Sequence, residues 1–196
     1  MSDQIFLYGA LGVYFAGMLF IGYFAYKRTD DHEDYMLGGR NLPPWVAAIS
    51  AGAADMSGWL VMGLPGAIYA AGLIEAWIAI GLTIGAYLNW KLVAPRLRAY
   101  TEVSRNSITI PSYFENRLRD TSRSLRVVSG LIILVFFTLY ISSGMVAAGV
   151  FFESSFNGDY LFGMLLVGGI TLLYTLFGGF LGASLTDVVQ GLMMVI

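Results

Sequence analysis

No cysteine occurs among the 196 residues, which excludes disulfides and thiolate-bound metals. Histidine occurs once, as His32, inside a charged stretch. Protein metal sites need several converging ligands, so this lone histidine reads as a solvated loop side chain. Charge is scarce: Asp, Glu, Lys and Arg make up 12% of the chain, against roughly 25% in an ordinary soluble domain. The net charge of −2 gives no basis for nucleic-acid binding. No Gly-x-x-x-x-Gly-Lys-Ser/Thr stretch is present, so nothing suggests a nucleotide-driven machine. A basic n-region is also missing. Asp3 is the only charge ahead of the first apolar run, and Lys27-Arg28 follow it. That pattern is not a cleavable signal peptide but a retained first span with its N-terminus outside.

What the chain does have is apolar length. Hydrophobic residues make up 57%, aromatics 15%, and there are 24 glycines; mean hydropathy is +0.70. Recurring apolar runs of this kind define an all-α integral membrane protein, since barrel strands would alternate in shorter segments. The predicted spans are about 5–26, 45–71, 74–93, 125–152, 160–177 and 183–196, the last cut short. In the first, Gly12 and Ala16 offer a small-x-x-x-small packing face. Trp77 and Trp90 suit the interfacial belt. A short interfacial helix is expected at 111–118, and Gly178-Gly179 should turn the chain. All eleven Lys and Arg lie between Lys27 and Arg40 or between Lys91 and Arg126. The positive-inside rule makes those two connections cytoplasmic. Arg117, Arg119, Arg123 and Arg126 read as orientation signals and contacts to anionic lipid. The sixth span lacks a cap or a flanking charge, so the chain is expected to be the N-terminal part of a longer protein.

The stretch Ala51–Ala67, Ala-Gly-Ala-Ala-Asp-Met-Ser-Gly-Trp-Leu-Val-Met-Gly-Leu-Pro-Gly-Ala, organises the rest. It places the carboxylate of Asp55 in the middle of an apolar run, beside Ser57, four glycines and Pro65. A charge at that depth faces a partner, a cavity or an ion. Gly and Pro clustered there permit local unwinding, which frees carbonyls to act as ligands. A hard cation takes oxygen ligands of both kinds, as a cation-coupled carrier requires. The other reading of Asp55 is a carboxylate satisfied by hydroxyls and amides in a kink.

This stretch closely resembles the corresponding helix of the sodium:solute symporter family, in its bacterial sodium/proline branch. The resemblance continues through Asp34-Tyr-Met-Leu-Gly-Gly-Arg40, Glu75-Ala-Trp-Ile-Ala-Ile-Gly-Leu82, Asn89-Trp-Lys-Leu-Val93 and Phe177-Gly-Gly-Phe180, and covers essentially the whole chain. Two positions depart from the pattern: Ala54 stands where a serine is expected, and Pro95 where a glycine is. The resemblance implies a LeuT-type inverted-repeat transporter. Here one extra N-terminal helix precedes most of the first five-helix repeat, and the remaining C-terminal half supplies the other wall of the site.

What the resemblance implies for the residues is specific. Sodium binds at the carbonyls of Ala53 and Met56, supported by Asp55. Ser57, Gly58, Trp59 and Tyr140 shape the substrate site, with Tyr140 covering an apolar ring while its hydroxyl bonds elsewhere. Asp187 lies on the ion's exit route, Arg40 acts in coupling at the inner mouth, and Gly63 gives the span its freedom. Each has a plainer alternative: close packing for Gly58 and Gly63, core filling for Trp59 and Tyr140, an N-terminal helix cap for Asp187, a positive-inside anchor for Arg40.

The expected function is therefore symport of L-proline with sodium across the cytoplasmic membrane by alternating access. Sodium is the co-transported ion, and there is no organic cofactor. The membrane lipid and the C-terminal half are the expected partners. Alternatives are another small solute or amino acid, or a transporter-like membrane sensor. An intramembrane enzyme would need paired catalytic groups. The one acidic pair inside spans, Asp55 and Asp187, sits at opposite ends of the counted topology, so no enzyme is expected.

Overall fold

The computed structural model describes residues 2–195, and their side chains except those of Ser2, Asp3, Gln4, Met56, Ser57, Val61 and Val195. The described residues are helical almost throughout. In order they form α1 (Ser2–Tyr26), α2 (His32–Leu37), α3 (Pro44–Gly58), α4 (Leu64–Ala71), α5 (Ala76–Leu88), α6 (Ala94–Val103), α7 (Ile110–Leu118), α8 (Ser124–Phe156) and α9 (Tyr160–Val195). Among them four segments are long and apolar enough to cross a membrane: Ile5–Tyr26, Leu73–Val103, Ser124–Phe156 and Tyr160–Met194. The chain divides into two compact units, Met1–Ser57 with Tyr140–Ile196, and Gly58–Leu139.

Two π-helical turns interrupt the helices, Trp59–Gly63 ahead of α4 and Asn89–Val93 ahead of α6. Each is followed, two residues on, by a proline: Pro65 or Pro95. A proline ring collides with the carbonyl four residues back and cannot donate to it. Opening the preceding turn by one residue relieves that collision. In the first case the Leu64 N–H bonds the Trp59 carbonyl, five residues back. The irregularity expected within Ala51–Ala67 does form, as a widened turn rather than an unwound segment. Helix α3 stays regular to Gly58, and the irregularity is a widened turn at 59–63. The helix expected to stop at Val93 likewise continues to Val103 through its own widened turn.

In the first unit, α1 packs along α9. Gly22 makes the crossing possible, because a Cβ there would lie 2.7 Å from the Cβ of Tyr174. Gly178 and Gly182 meet Gly22 and Ala25 from the other side, and Ala25 is fully buried. Small residues let backbones approach closely, the main source of helix association where lipid tails remove any hydrophobic gain. The face expected at Gly12 and Ala16 takes no part in this crossing: among the described residues Ala16 is exposed, and a Cβ on Gly12 would meet nothing within 4 Å.

Helix α9 is broken at Gly179, whose φ of 57° and ψ of −151° only glycine adopts readily. Tyr35 of α2 lies over the break and donates its hydroxyl to the Leu176 carbonyl at 3.2 Å, one of the acceptors such a break leaves free.

In the second unit, α7 begins with a capping box. The Thr109 hydroxyl accepts from the Ser112 N–H, and the Ser112 hydroxyl lies 3.1 Å from the Thr109 N–H. The buried Ser104 and Ser107 tie the end of α6 to α7, with Asn116 donating to Ser107 Oγ at 2.9 Å.

Candidate functional site

The first unit gathers α3, the Tyr140 end of its part of α8, and the second half of α9 around one locus. Ser50, on α3 and 8% exposed, donates to Asp187 Oδ2 at 2.7 Å. One turn further along α9, Gly191 lies against α3, so closely that a Cβ there would be 3.0 Å from Ile49 Cγ2 and 3.3 Å from Ala53 Cβ. From α8, Tyr140 donates its hydroxyl to the Ala54 carbonyl at 3.1 Å, and Ser143 donates back to the Tyr140 carbonyl at 2.7 Å. On another face of α9, Gln190 donates to the Tyr14 hydroxyl of α1 at 2.7 Å. The strip of α9 between these contacts is buried: Ser184 is 1% exposed, Thr186 0% and Val188 8%. Thr186 satisfies its hydroxyl on the Ala183 carbonyl. Ser184 Oγ has no hydrogen-bond partner among the described residues.

Helix geometry explains why α3 serves two neighbours. With about 100° per residue, Ser50, Ala53 and Ala54 share one face, while Asp55 points about 140° away from Ser50. Asp55 is accordingly exposed. The Ala54 carbonyl accepts the Tyr140 hydroxyl while α3 remains helical, because a carbonyl oxygen has a second lone pair.

Among the residues singled out from the sequence, Ala53, Tyr140 and Asp187 come to this locus, and Asp55 lies beside it on α3. The side chains of Met56 and Ser57 lie outside the described residues. Asp187 is not a helix cap; it sits well inside the helical stretch that follows Gly179. Gly58, Trp59 and Gly63 belong to the other unit. There Gly63 accommodates the Trp59 indole, whose Cδ1 a Cβ would approach to 2.8 Å. Arg40 is elsewhere too, at the end of the Gly38–Arg40 turn with φ of 56°. Its Nε lies 2.6 Å from Glu33 Oε1 without the alignment of a hydrogen bond, and its Nη2 is buried with no partner among the described residues. Sequence reasoning missed Ser50 as the partner of Asp187, and Gln190 with Tyr14.

Among the described residues no three His, Asp or Glu side chains converge as a metal site. The oxygens on this face of α3 come as two separate pairs, the Asp187 carboxylate with the Ser50 hydroxyl and the Ala54 carbonyl with the Tyr140 hydroxyl, all of the hard kind that suits a weakly held hard ion.

Four helical segments long and apolar enough to cross a membrane, and the small-residue crossing of α1 with α9, define a multi-pass helical membrane protein. The profile of the sodium:solute symporter family matches residues 35–196, and the chain belongs to that family. It is 58% identical over 194 residues to the osmoregulated proline transporter OpuE of Bacillus subtilis, covering 99% of this chain and 39% of that protein. It is 62% identical over 177 residues to the high-affinity proline transporter PutP of the same organism, covering 90% of this chain and 37% of that one. A sodium/proline symporter of Staphylococcus aureus is 53% identical over 190 residues, covering 96% and 37%. The chain thus spans about two fifths of the length of the curated relatives it matches. No solved structure matches it.

Proposed function

We propose that the full-length protein is a sodium-coupled symporter of L-proline in the cytoplasmic membrane, with its N-terminus outside and its two basic connections inside. The observation that carries this reading is the meeting of Tyr140 with Ala54 beside Asp55, on the α3 stretch that holds the intramembrane carboxylate. The names of its relatives, two proline transporters and a sodium/proline symporter, support the substrate and the ion.

In this reading the carbonyls of Ala53 and Met56, with Asp55 nearby, hold sodium. Tyr140 stands over the solute and fixes its ring through the Ala54 carbonyl. Ser57, Gly58 and Trp59, which continue the chain past Asp55, complete the near wall, with Gly63 giving the following turn its freedom. Asp187, held by Ser50, receives the ion on its inward path, and Arg40 with Glu33 acts at the inner mouth. Sodium entry orders α3 against α8 and so raises the affinity for proline. By linkage, proline raises the affinity for sodium equally. The remaining length of the protein contributes the opposite wall, and alternating access moves the loaded site across the membrane.

The test is uptake of radiolabelled L-proline by the full-length protein in proteoliposomes under an inward sodium gradient, with Asp55→Asn alongside. Accumulation that requires sodium and is lost in the variant supports the reading. Uptake indifferent to sodium, or uptake of another solute in preference, would remove it.

A further inference from the structure

The second unit contains a cavity of about 730 Å³ in the connection between α6 and α8. Its lining is strongly basic: Arg105, Arg117, Arg119 and Arg123 against the carboxylates of Glu115 and Asp120. Both carboxylates are already engaged. Glu115 lies 3.6 Å from Arg123 and 3.2 Å from Arg126. Asp120 accepts from the Ser122 and Ser124 hydroxyls and from the Leu125 N–H. Arg105, Arg117 and Arg119 are left without an ion-pair partner among the described residues. Arg117 instead rests over the Tyr100 ring, 5.0 Å from its centroid.

The shape of the cavity is built in. Arg105, Arg119 and Arg123 all adopt positive φ, between 53° and 59°, in a region that costs a non-glycine residue energy. Ser104 and Asn116 also line the cavity and are tied together through the buried Ser107. Three unpaired guanidinium groups in a preformed recess match a phosphate, which arginine binds bidentately. Position selects the source of that phosphate. The helix ending at Val103 and the helix starting at Ser124 are both long and apolar enough to cross the bilayer. The recess between their ends therefore lies at headgroup depth. Val103 and Leu118 beside it are 82% and 64% exposed, an apolar rim suited to acyl chains.

We infer that this recess is a binding site for the phosphate headgroup of an anionic phospholipid. The site stands independently of which solute is carried.

The test uses the full-length protein in mild detergent, titrated with phosphatidylglycerol, phosphatidylcholine or inorganic phosphate and followed by native mass spectrometry. Wild type should retain one lipid with about tenfold or greater preference for phosphatidylglycerol over phosphatidylcholine. The triple variant Arg105→Ala, Arg117→Ala, Arg119→Ala should lose that preference. Arg96→Ala with Arg98→Ala, which removes charge from α6 outside the cavity, should keep it. Equal retention of phosphatidylcholine by wild type overturns the proposal whether or not the triple variant folds. So does a preference that survives in the triple variant, or one lost equally in the α6 control. Displacement of the lipid by millimolar inorganic phosphate would make this a site for a free anion and overturn the lipid assignment.

Discussion

Tyr140 of α8 donates its hydroxyl to the Ala54 carbonyl of α3, 3.1 Å away, without interrupting the α3 helix. A side chain from a distant part of the chain thus reads the backbone of the stretch that carries Asp55. Replacing Tyr140 with Phe keeps the ring and removes the bond to Ala54, worth about 1 kcal/mol. Under the proposed symport, the KM of the full-length protein for proline should rise about fivefold while sodium dependence persists. An unchanged KM in sodium-gradient uptake would show that the hydroxyl does not hold the site.

Ser50 and Ser184 are both buried serines near Asp187, yet they should respond oppositely to truncation. Ser50 donates to the carboxylate, so Ser50→Ala should destabilise by roughly 1.5–3 kcal/mol, as expected for a hydrogen bond to a charged group. Ser184 Oγ has no partner among the described residues, so Ser184→Ala should be neutral or stabilising. Thermal unfolding in detergent, followed by size-exclusion fluorescence, ranks the two. A cycle of Ser50→Ala with Asp187→Asn should be clearly non-additive. Additive losses would argue that the pair is not coupled.

The crossing of α1 with α9 predicts a contrast between two glycines of one helix. Gly22→Ala sets a Cβ 2.7 Å from the Tyr174 Cβ and should cost about 1–3 kcal/mol, as overpacking does. Gly12→Ala meets nothing within 4 Å and should be harmless. Equal thermal stability of the two variants would mean that the crossing is not at Gly22.

The Asp120 carboxyl is held well below the usual 3.8, at about 2, first by the Ser122 hydroxyl and then by the Leu125 N–H. A carboxyl lowered in the native state favours folding in its charged form. Its contribution to the loop before α8 is complete above about pH 4 and disappears as pH falls through about 2. Hydrogen exchange in a peptide covering 119–126 should therefore accelerate, relative to the intrinsic rate, as pH falls across that window. Asp120→Asn should flatten the response. A window centred near pH 4 in wild type would refute the hydrogen-bonded geometry.

Much of the fold was legible because membrane helices announce themselves by apolar length, and because Gly178-Gly179 and Pro111 carry strong local constraints. Gly179 does break α9, and α7, Ile110–Leu118, forms where a short helix was expected at 111–118. The use of Gly22 rather than Gly12 was not legible. Both satisfy a small-residue spacing, and only the path of a partner helix chooses between them. Within the site, Asp187 and Tyr140 were picked out by the family resemblance, since on the residues alone they also read as a helix cap and as core filling. Ser50 was not picked out, since a serine in a membrane helix ordinarily bonds its own backbone, and its partner lies 137 residues away. The form of the irregularity near Asp55 was also hidden. Gly and Pro together suggested unwinding, whereas the turn that forms is widened and Pro65 lies two residues beyond it.

A π turn holds one more residue than the α-helical turn it replaces, so it slips the phase of the helix by about 100°. Along Leu73–Val103, a wheel drawn from the residues of α5 assigns every side chain after Val93 to the wrong side. Arg96 and Arg98 face directions that belong to their neighbours in an uninterrupted helix. Pro95 therefore acts as a rotation written into the chain: it decides toward which surroundings the positive charges of α6 are turned.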